Sequence, residues 1–138
     1  MDELAKLEFK RHELSPSEKL RIVDAVRGRL IGEEGIIFAY LHGSFVELNR
    51  FKDVDVGVWV KADEDPFRYA VDLAAKVGGE LGLPLDIHVL NDSPLPFKHR
   101  VLTEGVLLFS RDEGLRLRLV EETARRYMDL KLFVATNR

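Results

Sequence analysis

The sequence contains no cysteine among its 138 residues, which excludes disulfide bonds and thiolate metal sites. It has no apolar run near the roughly 20 residues that a membrane-spanning helix requires. Its first residues, MDELAKLEFKRHEL, are too charged for a signal peptide. It also lacks an excess of positive charge, since its net charge is −3. These absences predict a cytoplasmic protein that does not enter a membrane and does not bind nucleic acid directly.

What the sequence does contain is typical of a globular protein. Apolar residues make up 46% and charged residues 33%, which is enough apolar material for a buried core in a chain of this length. We find no internal repeat and no low-complexity segment. We therefore expect one domain over residues 1–138.

Helix and strand signals alternate along the chain. Ser15, Pro16 and Glu18 have the pattern of a capping box with proline at the first helical position, which predicts a helix over about residues 15–31. Short apolar runs rich in β-formers predict strands over residues 35–41, 54–60, 85–90 and 106–110. Further helices are expected near residues 67–81, after residue 93 and from residue 114 onward. The sequence predicts an α/β fold whose three or four strands are covered by helices on one face.

The second predicted strand has acidic residues on one face. Its valines lie on one side, and Asp53 and Asp55 project from the other side, roughly 6–7 Å apart at the base. Two such carboxylates repel each other unless a cation lies between them, and Mg²⁺ prefers ligands of this kind. Asp86 on the third strand could complete a two-metal site for phosphoryl or nucleotidyl transfer. The alternative is a solvated strand end.

The Gly43–Ser44 pair follows the first predicted strand. Glycine allows the backbone to approach a phosphate closely, and the amides that open a following helix are anion donors, to which the serine adds a hydroxyl. Alone, the pair is typical of an ordinary loop. Together with the three aspartates it predicts a site for a Mg²⁺-bound nucleoside triphosphate.

The stretch YLHGSFVELNRFKDVDVGVWV resembles the signature of the DNA polymerase β-like nucleotidyltransferases. The downstream stretch LPLDIHVLNDSPLPFKHRVLTEGVLLFSRDE and the short chain resemble the minimal (MNT) nucleotidyltransferases, which are antitoxin partners of HEPN-domain toxins. The resemblance implies a small mixed sheet, Gly43 and Ser44 on the triphosphate, and Asp53 and Asp55 as ligands of two Mg²⁺ ions, with Asp86 completing the metal site. The implied reaction is transfer of AMP from ATP to a tyrosine of the cognate toxin.

The chain departs from this family in the loop between the Gly-Ser pair and the two aspartates. The loop is shorter than usual and lacks a small-Arg-Gly element, so the basic contact to the triphosphate is expected from Arg50 or Lys52. Two other functions remain open. One is a nucleotidyltransferase with a small-molecule acceptor, and the other is a non-catalytic module that neutralises its toxin by covering the toxin's active site.

Several other residues allow two interpretations. His42 either reaches the nucleotide or is a strand-end histidine bonded to backbone. His88 shares a face with Asp86, so it either lines the site or packs further along the sheet. Trp59 either stacks on an adenine or belongs to the core, and Tyr127 is expected in the core. A basic group either steers a ligand or forms a solvated helix face, and it consists of Arg111, Arg116, Arg118, Arg125 and Arg126.

Overall fold

The computed structural model of the protein describes residues 14–47, 52–61 and 65–137. In order, the elements are α1 (Pro16–Leu30), β1 (Ile36–His42), the single-turn α2 (Ser44–Glu47), β2 (Val54–Val60), α3 (Pro66–Leu81), β3 (Leu85–Val89), α4 (Leu95–Glu104), β4 (Val106–Ser110) and α5 (Glu113–Thr136). Each predicted strand is present, with bounds within a residue of those expected. None of the helices in these ranges is both long and apolar enough to cross a membrane.

The predicted capping box at the start of α1 is confirmed. The Ser15 hydroxyl accepts from the backbone N–H of Glu18 at 3.2 Å, and the Glu18 carboxylate accepts from the backbone N–H of Ser15 at 2.8 Å. Two donors that the first turn would leave unpaired are thereby satisfied. Fixing this end directs the apolar side of α1 towards the sheet, where Ile22 and Val26 are fully buried.

The four strands form one mixed sheet in the order β3-β2-β1-β4. β1 is antiparallel to both of its neighbours, and β2 and β3 are parallel, joined through the crossover helix α3. In this register Asp55 is paired with His42 on one side and with Asp86 on the other. Paired residues on neighbouring strands point to the same face, so the three side chains emerge together.

Helices pack on both faces of the sheet, which differs from the prediction of one covered face. The valines of β2 meet α1 and α3 on the first face. On the second face a separate apolar cluster joins Phe38 and Tyr40 of β1 to Val101 and Leu102 of α4. Because β1 is apolar on both sides, both of its sides have to be covered.

Gly57 is the position in β2 that allows α4 to lie close to the second face. A Cβ at this residue would stand 3.0 Å from Val101 and 3.1 Å from Leu90, closer than ordinary van der Waals contact. The missing side chain therefore leaves room for α4. Its approach brings the first turn of α4 to the end of the sheet where Asp55 lies.

Candidate active site

Acidic residues of β2 and β3 form a compact group on the second face, at the end of the sheet where Asp55 lies. One ligand atom from each of Asp55, Asp86 and His88 lies within 4.8 Å of the others. The Nε2 of His88 is 3.2 Å from the Oδ2 of Asp86. The structure thus brings together the two aspartates expected to meet and adds His88 to them. Of the two interpretations of His88, the one in which it lines the site is correct.

The carboxyl group of Asp55 is in an unfavourable place for a negative charge. The pKa of Asp55 is raised to about 6. Partial burial is the largest cause, the nearby carboxylates of Asp86 and Asp53 raise it further, and His88 acts in the opposite direction. A bound divalent cation would remove this repulsion. The donor set of carboxylate oxygens, with an imidazole beside them, fits such an ion.

Asp53 lies in a bend immediately before β2 and is half-buried. It is not part of the group formed by Asp55, Asp86 and His88, although its charge contributes to the raised pKa of Asp55. The ladder between β2 and β3 begins one residue later, at Val54, so Asp53 has no paired neighbour on β3. A role for Asp53 as a metal ligand stays a prediction.

The Gly43–Ser44 turn lies directly against the acidic group. Gly43 has φ of +78°, in the left-handed region that favours glycine, and a Cβ there would overlap the Oδ2 of Asp55. Ser44 follows as the first residue of α2, and the backbone N–H of Val46 donates to the carbonyl of Gly43 at 3.1 Å. The turn predicted to hold a phosphate is therefore adjacent to the carboxylates predicted to hold the metal.

Of the two residues expected to make the basic contact to the triphosphate, the structure describes only Lys52. Arg50 lies outside the described residues. Lys52 is exposed in the bend that precedes β2, one residue from Asp53. For both, binding of the triphosphate stays a prediction.

Rings from β1, β3 and α4 border the acidic group. The ring centroid of His42 lies 5.4 Å from that of His88 and 5.4 Å from that of Phe97, and the His88 and Phe97 centroids are 5.2 Å apart. The pKa of His42 is lowered to about 4, mainly by burial and to a smaller extent by the charge of His88. Its Nε2 is buried and has no hydrogen-bond partner within the described part of the chain, so this nitrogen makes no bond to the backbone there.

Sequence reasoning did not identify Phe97 as part of the site. Its spacing of four residues from Val101 places both on one side of α4 and was a usable signal. The expectation that helices cover only one face of the sheet did not indicate that α4 would contact the acidic residues.

Trp59 and four of the five arginines have partners in the described part of the chain. The Trp59 ring stacks on Phe38 with centroids 5.9 Å apart, as expected of a core residue. Arg111 donates to the carbonyl of Ile36 at 2.9 Å, and Arg116 donates to the Tyr40 hydroxyl at 2.7 Å and also pairs with Glu113. Arg125 and Arg126 make surface ion pairs within α5.

Comparison with known proteins gives one family and several structures. The family model described as "Polymerase beta, Nucleotidyltransferase" matches residues 26–114. A crystal structure of the toxin–antitoxin MntA-HepT is 19% identical over 88% of this chain and 94% of that chain, with a TM-score of 0.63. A crystal structure of the toxin–antitoxin with AMP-PNP is 20% identical over 86% of this chain and 93% of that chain, with a TM-score of 0.66.

A third similar structure is that of a tri-AMPylated HEPN toxin from Shewanella oneidensis in complex with MNT antitoxin. It is 20% identical over 87% of this chain and 92% of that chain, with a TM-score of 0.63. The sequence has no significant match among curated proteins. At these identities the structural similarities establish the fold.

Proposed function

The chain belongs to the polymerase β nucleotidyltransferase family, and on that premise we propose that it transfers AMP from ATP to a tyrosine hydroxyl of a cognate HEPN toxin. The observation that carries the proposal is the pairing of Asp55 with Asp86 across β2 and β3, directly beside the Gly43–Ser44 turn. The matched residues 26–114 include all of these positions. Structural neighbours that are toxin–antitoxin complexes, one with an AMPylated toxin, support the choice of acceptor.

The metal in this proposal is a divalent cation, Mg²⁺ in the two-ion arrangement that the family resemblance implies. Asp55 and Asp86 would hold it, with Asp53 as a further ligand. When bound, it would neutralise charge on the triphosphate and on the leaving pyrophosphate. The acidic group on its own repels a nucleotide, so cation and nucleotide are expected to bind together.

The residues of the chain bind and orient the reactants. The Gly43 backbone and the Ser44 hydroxyl hold the triphosphate, and Arg50 or Lys52 adds a positive charge. The acceptor oxygen attacks the α-phosphorus of ATP, the bond to the bridging oxygen breaks, and pyrophosphate leaves. Asp86, which is exposed at the edge of the group, accepts the proton of the acceptor hydroxyl.

A protein acceptor is supported by the end of α5. Every residue from position 128 to 137 is exposed, and the apolar ones surround the helix instead of forming one stripe. The larger of these are Met128, Leu130, Leu132, Phe133 and Val134. Exposed apolar side chains gathered in this way indicate a contact surface, and the partner that would cover it is the toxin.

Replacing Asp86 by asparagine distinguishes an enzyme from a binding module. The variant is expected to bind the toxin as well as the wild type, because the contact area comes from elsewhere, but to transfer no AMP. The toxin is taken as the helical protein encoded beside this chain. It is co-expressed either with the wild type or with the variant, and its mass is measured by intact-mass spectrometry. Wild type should add the mass of AMP to the toxin, and the variant should add none. If the wild-type chain silences the toxin without adding mass to it, the proposal that the chain is an enzyme is wrong.

Replacing Ser44 by alanine should weaken binding of a Mg²⁺-bound ATP analogue. One hydrogen bond to a charged phosphate is lost, which corresponds to about 1.5–3 kcal/mol. Isothermal titration calorimetry measures the affinity. Ser17→Ala, at an exposed serine of α1, is the matched control and should leave it unchanged. Equal affinities for both variants would mean that the triphosphate binds away from this turn.

A further inference from the structure

His88 lies in the acidic group but has no role in the proposed reaction. It follows Asp86 by two residues on β3, so both side chains emerge on the second face. Its Nε2 lies 3.2 Å from the Oδ2 of Asp86 and belongs to the group whose atoms are within 4.8 Å of one another. The nitrogen is thus directed at the place where the two carboxylates converge.

We propose that His88 is a nitrogen ligand of the cation held by Asp55 and Asp86, and that it raises the preference of this site for Mn²⁺ and other first-row transition-metal ions over Mg²⁺. The inference rests on the proposed function, since it concerns the cation of the same site. It adds a ligand that the pattern of aspartates does not contain.

The distances are compatible with one ion. Ligand atoms bound to one ion at roughly 2.0–2.2 Å can be no more than about 4 Å apart. The observed limit of 4.8 Å exceeds this by less than 1 Å, which small rotations of the two carboxylates would close. The imidazole needs little movement, because its Nε2 is already at contact distance from Asp86.

The surroundings of His88 hold the ring in this orientation. The ring contacts those of both His42 and Phe97, with centroid separations of 5.4 Å and 5.2 Å. A ring confined in this way loses little further rotational freedom when it binds an ion. Phe97 therefore acts as a positioning residue for His88.

The chemistry of the donor set decides which ion binds more tightly. Mg²⁺ prefers oxygen ligands in a near-octahedral arrangement and keeps bound waters. Imidazole is a better ligand for first-row transition-metal ions, whose affinities rise from Mn²⁺ towards Cu²⁺. Two carboxylates and one imidazole should consequently bind Mn²⁺ more tightly than Mg²⁺, whereas three carboxylates would discriminate less.

The test measures metal binding instead of activity. Pulsed electron paramagnetic resonance of Mn²⁺ bound to the wild-type chain, with a non-hydrolysable ATP analogue, should reveal a directly coordinated nitrogen. Histidine labelled with ¹⁵N should change the coupling. In His88→Gln the coupling should vanish, and calorimetry should find Mn²⁺ affinity lowered at least about tenfold, with Mg²⁺ affinity lowered less than about threefold.

A matched control is available on α4. His99 stacks on Tyr127 and is not part of the acidic group, so His99→Gln should retain the nitrogen coupling and both affinities. Circular dichroism shows whether His88→Gln disturbs folding, and in that case His88→Asn serves as the second variant. The spectrum of Mn²⁺ bound to the wild type tests for a coordinated nitrogen without any variant.

The possible outcomes separate the inference from the proposed function. Mn²⁺ bound by wild type without a coordinated nitrogen would overturn the role of His88 and leave the Asp55–Asp86 site standing. Equal losses of Mn²⁺ and Mg²⁺ affinity in His88→Gln would overturn it too, because they indicate that His88 only positions Asp86. Absence of any Mn²⁺ or Mg²⁺ binding to the wild type with nucleotide would contradict the proposed function itself.

Discussion

Replacement of Asp55 by asparagine is expected to abolish AMP transfer while making the fold more stable at neutral pH. Asp55 lies between Gly43 and Asp86 in the centre of the site, and the amide cannot supply the negative charge that binds the cation. Loss of several kcal/mol of transition-state stabilisation lowers the rate at least about a thousandfold. Activity is followed as AMP added to the co-expressed toxin.

The gain in stability follows from the raised pKa of Asp55. Its ordinary value is 3.8 and its value in the fold is about 6, so between these pH values the unfolded chain releases a proton that the folded chain retains. Stability therefore falls as pH rises from about 4 to 6 and stays lower above it, by roughly 1–2 kcal/mol because solvent screens part of the repulsion at this incompletely buried carboxyl group. Asparagine cannot ionise and avoids this loss.

Urea unfolding in the absence of divalent cations, at pH 4 and pH 7, measures the effect. Wild type should lose more stability than Asp55→Asn between the two pH values. Asp24→Asn on α1 is the surface control and should behave like wild type within about 0.5 kcal/mol. A variant less stable than wild type at pH 7 would show that the carboxylate stabilises the fold, against this account.

Disruption of the apolar end of α5 is expected to abolish the complex with the toxin without unfolding the chain. Leu132 and Phe133 are 62% and 64% exposed, so Leu132→Ser with Phe133→Ser should change stability by less than about 1 kcal/mol. If each residue contributes about 2 kcal/mol to the interface, the dissociation constant rises about a thousandfold. Size-exclusion chromatography and calorimetry with the purified toxin measure the loss.

The matched control is Leu20→Ser on α1. Leu20 is 60% exposed, similar to Leu132, but lies in a different helix, so this variant should still form the complex. The double variant of α5 should also keep its affinity for a Mg²⁺-bound ATP analogue, since its acidic site is unchanged. A complex of wild-type affinity in the double variant would place the toxin on another surface.

Local features of this protein follow directly from its sequence. Alternation along residues 54–60 put the valines on one side and Asp55, Gly57 and Trp59 on the other, and the structure has this arrangement. The capping box fixed the start of α1. Such features depend on neighbours within a few residues, so periodicity and capping are sufficient to predict them.

Which residues share the site depends on contacts between distant parts of the chain. Strand order and register pair Asp55 with Asp86 and His42, and they leave Asp53 outside the group of ligand atoms that includes His88. Register depends on burying both faces of the sheet at once, and no single stretch of sequence contains that information. The same is true of Phe97, which reaches the site because β1 is apolar on both sides and requires α4 on the second face.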